Sequence, residues 1–382
     1  MDLNHAALVT IREYLDEMMY ALVDLRLSFE VGPSPTGFPK FQSLQALVQR
    51  LDRNHQVVFR LFRLGEPVED TFVGSVIPRR VLAALTQAEI LQKKDNHWQT
   101  RGLLIIPVEG LILLVSVPPS YPTATKACST WFDLSSHVMA RALPHSLSEQ
   151  KVLDICSGSG IQSLLCAARG ATDVVGLEVS EEAVVTARAN AILNGLELRT
   201  EFRRSNMLEA LKQGECFDFV VCNTPYAPVI DGDPRAVTLE TLGNSVLIQS
   251  LNQLASRLSP RGRGILATWR AAGQHSSTYQ MQHIASELES RGFSTFAYVD
   301  RAPDTPEGVL RILENDLEQR PGMGLEQVAE VVNHVKELLQ GSGDKMDGFY
   351  NQLIYFRRGK IECVTTERMI CGIGNSASAG AA

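Results

Sequence analysis

The sequence predicts an α/β protein with a doubly wound, mostly parallel sheet, preceded by a smaller N-terminal domain of helices and a hairpin. Two observations predict the sheet. From residue 151 onward, short apolar runs typical of buried strands alternate with stretches of helical periodicity, which is the pattern of βαβ units. The first of these strands also runs directly into a glycine-rich turn that opens a helix.

The alternating elements can be placed along the chain. Predicted strands are 152–155, 174–177, 217–222, 264–269, 293–299 and 349–357. Predicted helices are 161–169, 181–193, 244–258, 306–316 and 324–340. Because ligands of a doubly wound sheet gather outside the carboxyl ends of its strands, we expect the functional residues to follow the early strands.

The N-terminal part of the chain has a different pattern. Residues 4–27 carry apolar side chains at helical spacing, 41–64 predict one or two further helices, and 76–88 predict another. Two apolar runs, 103–108 and 111–115, flank Glu109-Gly110 and predict a β-hairpin. Helices followed by a hairpin resemble a winged helix at the level of the fold.

Prolines at positions 118, 119 and 122 indicate where the two domains meet. Residues 1–118 are predicted to form the helical, winged-helix-like domain, with a role in substrate recognition. Residues 119–365 are predicted to form the α/β domain, and 366–382, low in sequence complexity, a disordered tail.

Composition favours a cytoplasmic protein without a metal site. The N-terminus lacks the features of a signal peptide, and the longest apolar run, 111–117, is too short to cross a membrane. Seven cysteines are scattered without a Cys-x-x-Cys pair, and no histidine stands at metal-ligand spacing, so reduced thiols are expected. The net charge of -7 makes a broad nucleic-acid-binding surface less expected.

The glycine-rich turn, Asp154 to Gly160, narrows the choice of ligand. A nucleoside triphosphate site would need Lys and Ser/Thr where Ile161-Gln162 stand. A dinucleotide fingerprint matches poorly, because Ser163 occupies its last position and Asp154 would repel a pyrophosphate. An acid before the turn instead suits a cation, and S-adenosylmethionine carries an ammonium group and a sulfonium.

These residues carry a family resemblance: 152–226 resembles class I S-adenosylmethionine-dependent methyltransferases of the small-methyltransferase type. The resemblance implies a Rossmann-like sheet, with Glu178 as the acid that binds the ribose diol. It also implies that Asn206, where most relatives carry Asp, lies at the adenine, and that Thr130 lies over the methionine end of the cofactor. Its implied cofactor contacts are Thr130, Asp154, Cys156, Ser157, Gly158, Gly160, Glu178, Val179, Asn206, Met207 and Asn223.

Asn223-Thr224-Pro225-Tyr226, at the end of a predicted strand, is similar to the Asn-Pro-Pro-Tyr motif of enzymes that methylate nitrogen in planar groups. Such a nitrogen is a weak nucleophile because its lone pair is delocalised. Hydrogen bonds from its N–H groups to the Asn223 side chain and the Thr224 carbonyl would orient the lone pair and favour the developing positive charge. Pro225 would stiffen the loop and Tyr226 would stack on the planar group.

The methyl acceptor stays open at this point. The overall arrangement resembles ribosomal guanine and release-factor glutamine methyltransferases, which leaves a small molecule, a protein glutamine or an RNA base as candidates. Thr224 stands where the family usually has Pro, so a biosynthetic O-, N- or C-methyltransferase remains an alternative. Other chemistry with the same cofactor, such as cyclisation, and a non-enzymatic regulator also remain.

Overall fold

The computed structural model describes ten segments of the chain, namely 3–32, 38–118, 120–124, 130, 132–224, 245–273, 281–299, 305–318, 324–341 and 346–359. The N-terminal elements are α1 His5–Glu17, α2 Tyr20–Val31, α3 Phe41–Val48, α4 Arg53–Phe62, β1 Val68–Glu69, α5 Asp70–Val76, α6 Arg79–Gln87, β2 Leu91–Lys94, β3 His97–Thr100, β4 Leu103–Val108 and β5 Leu111–Ser116. They are followed by α7 Leu134–Ala142, β6 Lys151–Ile155, α8 Ile161–Ala168, β7 Asp173–Glu178, α9 Glu181–Leu193, β8 Thr200–Arg204, β9 Phe217–Asn223, α10 Ser245–Arg257, β10 Leu258–Gly273, α11 Met281–Ser290, β11 Phe293–Val299, α12 Pro306–Glu318, α13 Leu325–Gly341 and β12 Met346–Arg358.

The central sheet has seven strands in the order β11-β12-β10-β9-β6-β7-β8. The pairs from β10 through β8 are all parallel, and β12 runs antiparallel to both of its neighbours. The chain winds outward from β6 to β8 and then returns to place β9 on the other side of β6. This reversal opens a crevice at the carboxyl ends of β6 and β9, where ligands bind in such sheets. The doubly wound, mostly parallel sheet is confirmed.

Alternate residues of the strands enter two separate apolar cores on the two faces of the sheet. Val152 and Val174 face α8 and α9, whereas Leu153 and Val175 join α10 and α11. The alternation follows from the period of two along a strand. With both faces covered, β6, β7, β9 and β10 read as nearly continuous apolar runs, which is why the sequence predicts them well, whereas the charged edge strand β8 is not predicted.

The core beneath α8 and α9 extends without a break into the N-terminal part of the chain. It contains buried residues of α1 to α6 and of β4 and β5 together with those of α7, α8 and α9. The two parts therefore share one hydrophobic core, although the chain between them is rich in proline. Of the described helices, none is both long and apolar enough to cross a bilayer.

The N-terminal elements differ from the prediction in two respects. The single helix predicted for 4–27 is two helices, because Met19 adopts a left-handed conformation with φ 47° and ends α1 before α2 begins. The predicted hairpin β4–β5 forms, with Glu109 and Gly110 both at positive φ as a two-residue turn requires. It does not join the small antiparallel sheet β1-β3-β2, so the winged-helix interpretation stays a prediction.

Asn190 of α9 and Asn194, which caps the carboxyl end of that helix, hold the hairpin. Asn190 Nδ2 donates to the Leu114 carbonyl at 3.0 Å, and its Oδ1 accepts from the Leu114 N–H at 2.7 Å. Asn194, one turn later, makes the same pair of bonds with Ile112 at 2.8 and 2.9 Å. The helix thus satisfies backbone groups on the open edge of β5, as a further strand would. Asn190 Nδ2 also donates to the Ser159 carbonyl at 2.9 Å, which ties the hairpin to the glycine-rich turn.

We expect Asn190→Ala to lower the free energy of unfolding by about 2 kcal/mol, because it leaves buried backbone groups of Leu114 and Ser159 unpaired. Urea denaturation followed by circular dichroism measures the loss. Thr86→Ala is the control, since the exposed Thr86 hydroxyl bonds only within its own helix, and it should change stability by less than about 0.5 kcal/mol. Equal stability of the two variants would contradict the bridging role of Asn190.

Candidate functional site

The predicted site residues from 154 to 224 lie at the carboxyl edge of the central sheet. Ile155, the last residue of β6, is in register with Leu177 of β7 on one side and Cys222 of β9 on the other. Glu178 ends β7 beside Arg204 of β8. The residues that follow these strands therefore surround one crevice, as the order of motifs in the sequence predicts.

The turn after β6 owes its shape to positive φ angles. Cys156, Gly158 and Gly160 have φ of 63°, 51° and 84°. The Ser157 N–H donates to the Leu177 carbonyl at 2.9 Å, and the Gly160 N–H donates to the Ser157 carbonyl at 2.8 Å. Gly160 then caps α8, whose first amides point toward the turn. The geometry is that of a backbone cradle for a polar ligand.

The two glycines have different surroundings. A Cβ on Gly158 would meet no atom within 4 Å, whereas a Cβ on Gly160 would lie 2.8 Å from Cζ of Phe202 and 3.1 Å from Cβ of Ala187. Gly160 is therefore needed for packing against α9 and β8. Gly158 faces open space, which a ligand can fill.

We expect Gly160→Ala to lower the free energy of unfolding by about 2 kcal/mol, because it adds a clash with Phe202 to a strained φ. Gly158→Ala, with the strain but without the clash, should lose about 1 kcal/mol and should weaken S-adenosylmethionine binding instead. Thermal unfolding and calorimetry on both variants separate the two effects. If only Gly160→Ala loses S-adenosylmethionine binding, the assignment of Gly160 to packing and Gly158 to ligand binding is wrong.

Asp154 is the buried acid of the site. Its Oδ2 accepts from the backbone N–H of Ser163 at 3.0 Å and from the Ser163 hydroxyl at 2.7 Å. Its Oδ1 is buried without a partner. Burial raises the pKa of Asp154 to about 7, the bonds from Ser163 act in the opposite direction, and the charge of Glu178 raises it further. A cation against Oδ1 would stabilise the ionised carboxylate.

Glu178 is half-buried, and the turn itself uses much of its bonding capacity. One carboxylate oxygen accepts from the Val179 and Ser180 N–H groups at 2.8 and 3.0 Å, and the other accepts from the Gly158 N–H at 2.9 Å. A carboxylate offers about four acceptor positions, so one remains. Glu178 therefore braces the turn in this structure. The predicted double hydrogen bond to a ribose diol stays a prediction and requires Gly158 to release the carboxylate.

Beside Glu178 lies an open cavity of about 390 Å³, lined by Val179, Arg204, Ser205, Asn206, Glu209 and Ala210. Asn206 is exposed and donates through Nδ2 to Glu209 at 3.2 Å. This hydrogen bond does not use the side-chain oxygen of Asn206. Met207 has φ 51° and its sulfur accepts from the Ser250 hydroxyl at 3.3 Å. The cavity thus includes Asn206, the residue for which the resemblance predicts an adenine contact.

Asn223 ends β9 at the crevice. Its Nδ2 donates to the Ser135 hydroxyl at 3.0 Å, while its Oδ1 is buried without a partner. The next residue, Thr224, is buried and its hydroxyl donates to the Ala267 carbonyl of β10, which fixes the start of the loop. Pro225 and Tyr226, the other two residues of the predicted motif, lie outside the described residues.

Unpaired buried polar atoms test whether the site fits the expected cofactor. Among the described residues, Asp154 Oδ1, Ser157 Oγ and Asn223 Oδ1 are all buried without a partner, and they lie at or just beyond the carboxyl ends of the adjacent strands β6 and β9. Buried polar groups are normally hydrogen-bonded, so three unpaired atoms grouped at one crevice are available to bind a polar ligand. Acceptors at Asp154 and a hydroxyl at Ser157 suit the ammonium and carboxylate of an amino acid. The residues present therefore fit S-adenosylmethionine.

Two sequence-predicted residues are explained by packing in this structure. Thr130 is fully buried, and its hydroxyl bonds with the Ser116 N–H at 2.8 Å and the Ser116 hydroxyl at 3.0 Å. Its predicted contact with the cofactor stays a prediction. Contact with the Cys222 thiol and burial raise the pKa of Cys156, so its thiol stays protonated at neutral pH.

Other residues of the site are not apparent from the sequence pattern. Arg204 and Ser205 line the cavity because Arg204 ends β8 and Ser205 follows it, and the three charged residues of β8 hide this strand in the sequence. Asp133 caps α7 and bonds the Ser135 hydroxyl at 2.5 Å, next to Asn223. The sequence does contain a signal for this cap, since an Asp before an apolar helical stretch is a typical N-cap.

Comparison with known proteins gives a family and several relatives. Residues 127–255 match the family model described as methyltransferase small domain. The ribosomal protein L11 methyltransferase of Polynucleobacter necessarius is 24% identical over 217 residues, which are 54% of this chain and 60% of that protein. The ribosomal protein uL3 glutamine methyltransferase of Bordetella pertussis is 37% identical over 81 residues, which are 21% of this chain and 27% of that protein. The chain therefore spans less than two thirds of the length of these relatives.

A similar solved structure is that of an S-adenosylmethionine-dependent methyltransferase from Thiobacillus denitrificans in complex with S-adenosyl-L-homocysteine. The sequence identity is 14% and the TM-score 0.37, and the superposition covers 59% of this chain and 91% of that chain.

Proposed function

Because residues 127–255 match the methyltransferase small domain model, we propose that the protein transfers a methyl group from S-adenosylmethionine to a nitrogen of a planar amide or aromatic amine. The family match and the relatives support the predicted enzyme class and the predicted cofactor. The nitrogen acceptor is the part that we propose.

The unpaired atoms of the site support an assignment of the residues that would bind the cofactor. Asp154 would hold the ammonium group through Oδ1, and the Ser157 hydroxyl with the first amides of α8 would hold the carboxylate. Glu178 would bind a ribose hydroxyl, and the cavity at Asn206 would take the adenine. When bound, S-adenosylmethionine supplies an electrophilic methyl group at a sulfonium.

Asn223 carries the proposed chemistry. Its buried Oδ1 would accept an N–H of the substrate, and the Thr224 carbonyl would accept the second. Two such acceptors select a nitrogen that carries hydrogen atoms and favour the positive charge that develops on it as the new bond forms. An oxygen or carbon acceptor offers no such pair of N–H groups, so the unpaired Asn223 Oδ1 is the observation on which the proposal rests.

We further propose that residues 1–118 recognise the substrate. Within them, α5 and α6 lie between β1 and β2 in the chain, and β2 pairs with β3 in a short hairpin. This order of helices and strands supports a winged-helix element formed by 53–100 instead of by the β4–β5 hairpin. A glutamine side chain of a ribosomal protein is the favoured acceptor, because the relative named for uL3 glutamine methylation aligns at 37% identity.

The test uses the full chain and S-adenosylmethionine labelled in its methyl group. Ribosomal proteins, ribosomal RNA and a small-metabolite fraction of the host are offered separately, and mass spectrometry locates the label. We expect the label on an amide or aromatic nitrogen, and we expect most of it in the protein fraction. Label on oxygen or carbon, or consumption of the cofactor without methyl transfer, would overturn the proposal and leave the cofactor site intact.

A further inference from the structure

Asn223 can act as an acceptor only if its amide has one of two orientations. An amide side chain has an oxygen and an NH₂ group of nearly equal size, and a rotation of half a turn exchanges them. The proposed function requires Oδ1 to face the crevice. We propose that Asp133 and Ser135, at the start of α7, form a positioning relay that fixes this orientation, an inference that rests on the proposed function.

The relay begins with a carboxylate. Asp133 Oδ1 accepts from the Ser136 N–H at 3.1 Å, as expected of the N-cap of α7, and from the Ser135 hydroxyl at 2.5 Å. An ionised carboxylate has no proton to donate. The hydroxyl proton of Ser135 must therefore point toward Asp133.

This leaves the oxygen of Ser135 as an acceptor only. The Asn223 side-chain atom nearest to it, at 3.0 Å, must then be the NH₂ group. In the reversed orientation, the Asn223 oxygen would face the lone pairs of Ser135 and the NH₂ group would face the crevice. Two facing acceptors repel each other, so the network excludes that orientation and keeps Oδ1 directed to the substrate.

The start of α7 is held in place from the other side. The Phe132 ring, which is buried, meets the His137 ring edge-on at a centroid distance of 4.7 Å and the Phe38 ring at 5.7 Å. Phe38 belongs to the N-terminal part of the chain. The relay thus rests on packed residues from both parts of the protein, which is what a positioning role requires.

The kinetic test compares Ser135→Ala, Asn223→Ala and the double variant. The probe is total ribosomal protein and RNA of the host with methyl-labelled S-adenosylmethionine. We expect Ser135→Ala to lower kcat about tenfold, with the KM for the cofactor unchanged, because the amide loses its preferred orientation. The double variant should be as slow as Asn223→Ala alone, and Ser135→Thr, which keeps the hydroxyl, should restore most of the rate.

Two further variants separate the relay from helix stability. Asp133→Asn keeps a good N-cap but allows the Ser135 proton to turn toward Asn223, so it should be as slow as Ser135→Ala. Ser136→Ala removes only the hydroxyl that accepts from the Asp133 backbone N–H and keeps the hydrogen bonds from Ser135 to Asp133 and from Asn223 to Ser135, so it should retain the wild-type rate.

A second readout needs neither cofactor nor substrate. In ¹⁵N-labelled protein, a single amide orientation of Asn223 should give one pair of side-chain NH₂ cross-peaks. Ser135→Ala should shift and broaden these two cross-peaks. If Ser135→Ala keeps the wild-type rate while Asn223→Ala is slow, the relay is wrong and the proposed function stands. Independent, multiplying losses in the double variant would also overturn the relay. An Asn223→Ala variant as fast as wild type would overturn both.

Discussion

Asn223→Ala is expected to slow methyl transfer by a hundredfold or more while leaving the affinity for S-adenosylmethionine within about twofold of wild type. The reason is that Oδ1 of Asn223, buried and unpaired without substrate, would make its hydrogen bond to the reacting nitrogen. Loss of one such contact in a site that excludes water costs roughly 2.7–4 kcal/mol of activation free energy. Single-turnover kinetics with saturating cofactor measure the chemical step, and calorimetry measures the affinity.

Asn223→Asp sharpens this experiment. It keeps an acceptor at the crevice but removes the NH₂ group that donates to Ser135. It also adds a negative charge near a sulfonium, so cofactor affinity should rise while turnover stays low. If both variants transfer methyl at the wild-type rate, Asn223 has no part in the chemical step.

Asp154→Asn is expected to weaken S-adenosylmethionine binding by a hundredfold or more, because it removes the buried charge opposite the ammonium group. The same change should stabilise the cofactor-free protein by about 2 kcal/mol at pH 8, since Asn carries no charge to bury. The gain in stability is smaller than the pKa shift alone suggests. The NH₂ group of the introduced asparagine would replace Oδ1, which has no partner, so it would be a buried donor without an acceptor. Calorimetry and thermal unfolding measure the two effects.

The pH dependence of the wild type follows from the same carboxyl. With its pKa raised to about 7 by burial, Asp154 holds a proton in the folded, cofactor-free protein at pH values where the unfolded chain has lost it. Its contribution therefore makes stability fall as pH rises from about 4 toward 7. Cofactor affinity should increase over the upper part of this range and level off above pH 7. Asp154→Asn should abolish both trends, and a pH-independent wild-type affinity would contradict the assignment.

The sequence predicts the sheet and the cofactor turn well for a common physical reason. Strands β6, β7, β9 and β10 are covered on both faces, so their apolar runs are nearly continuous, and the turn needs glycine where φ is positive. β8 is not apparent, because Thr200 to Arg204 carries three charged side chains and only Phe202 is buried. β1 is not predicted because its two residues are too few to show an alternating pattern.

Features that depend on long-range pairing could not be read from the pattern. Asn190 stands in an ordinary helical stretch, and nothing local indicates that its amide pairs with Leu114. The bracing of the turn by Glu178 is similar, since three backbone amides compete with the expected ribose for one carboxylate. Spacing identifies which residues reach the crevice, whereas the allocation of their hydrogen bonds depends on the folded geometry.

The asparagine bridge between α9 and the hairpin has a consequence for synthesis of the chain. Leu114 and Asn190 are 76 residues apart, and every residue of β5 is buried in the finished protein. On the ribosome, the hairpin is complete long before α9 exists to cover it. Until then, the nascent N-terminal part exposes an apolar strand and unpaired backbone N–H and C=O groups, and such exposure favours aggregation. We therefore expect the open edge of the hairpin to become fully paired only after residue 194 has been synthesised.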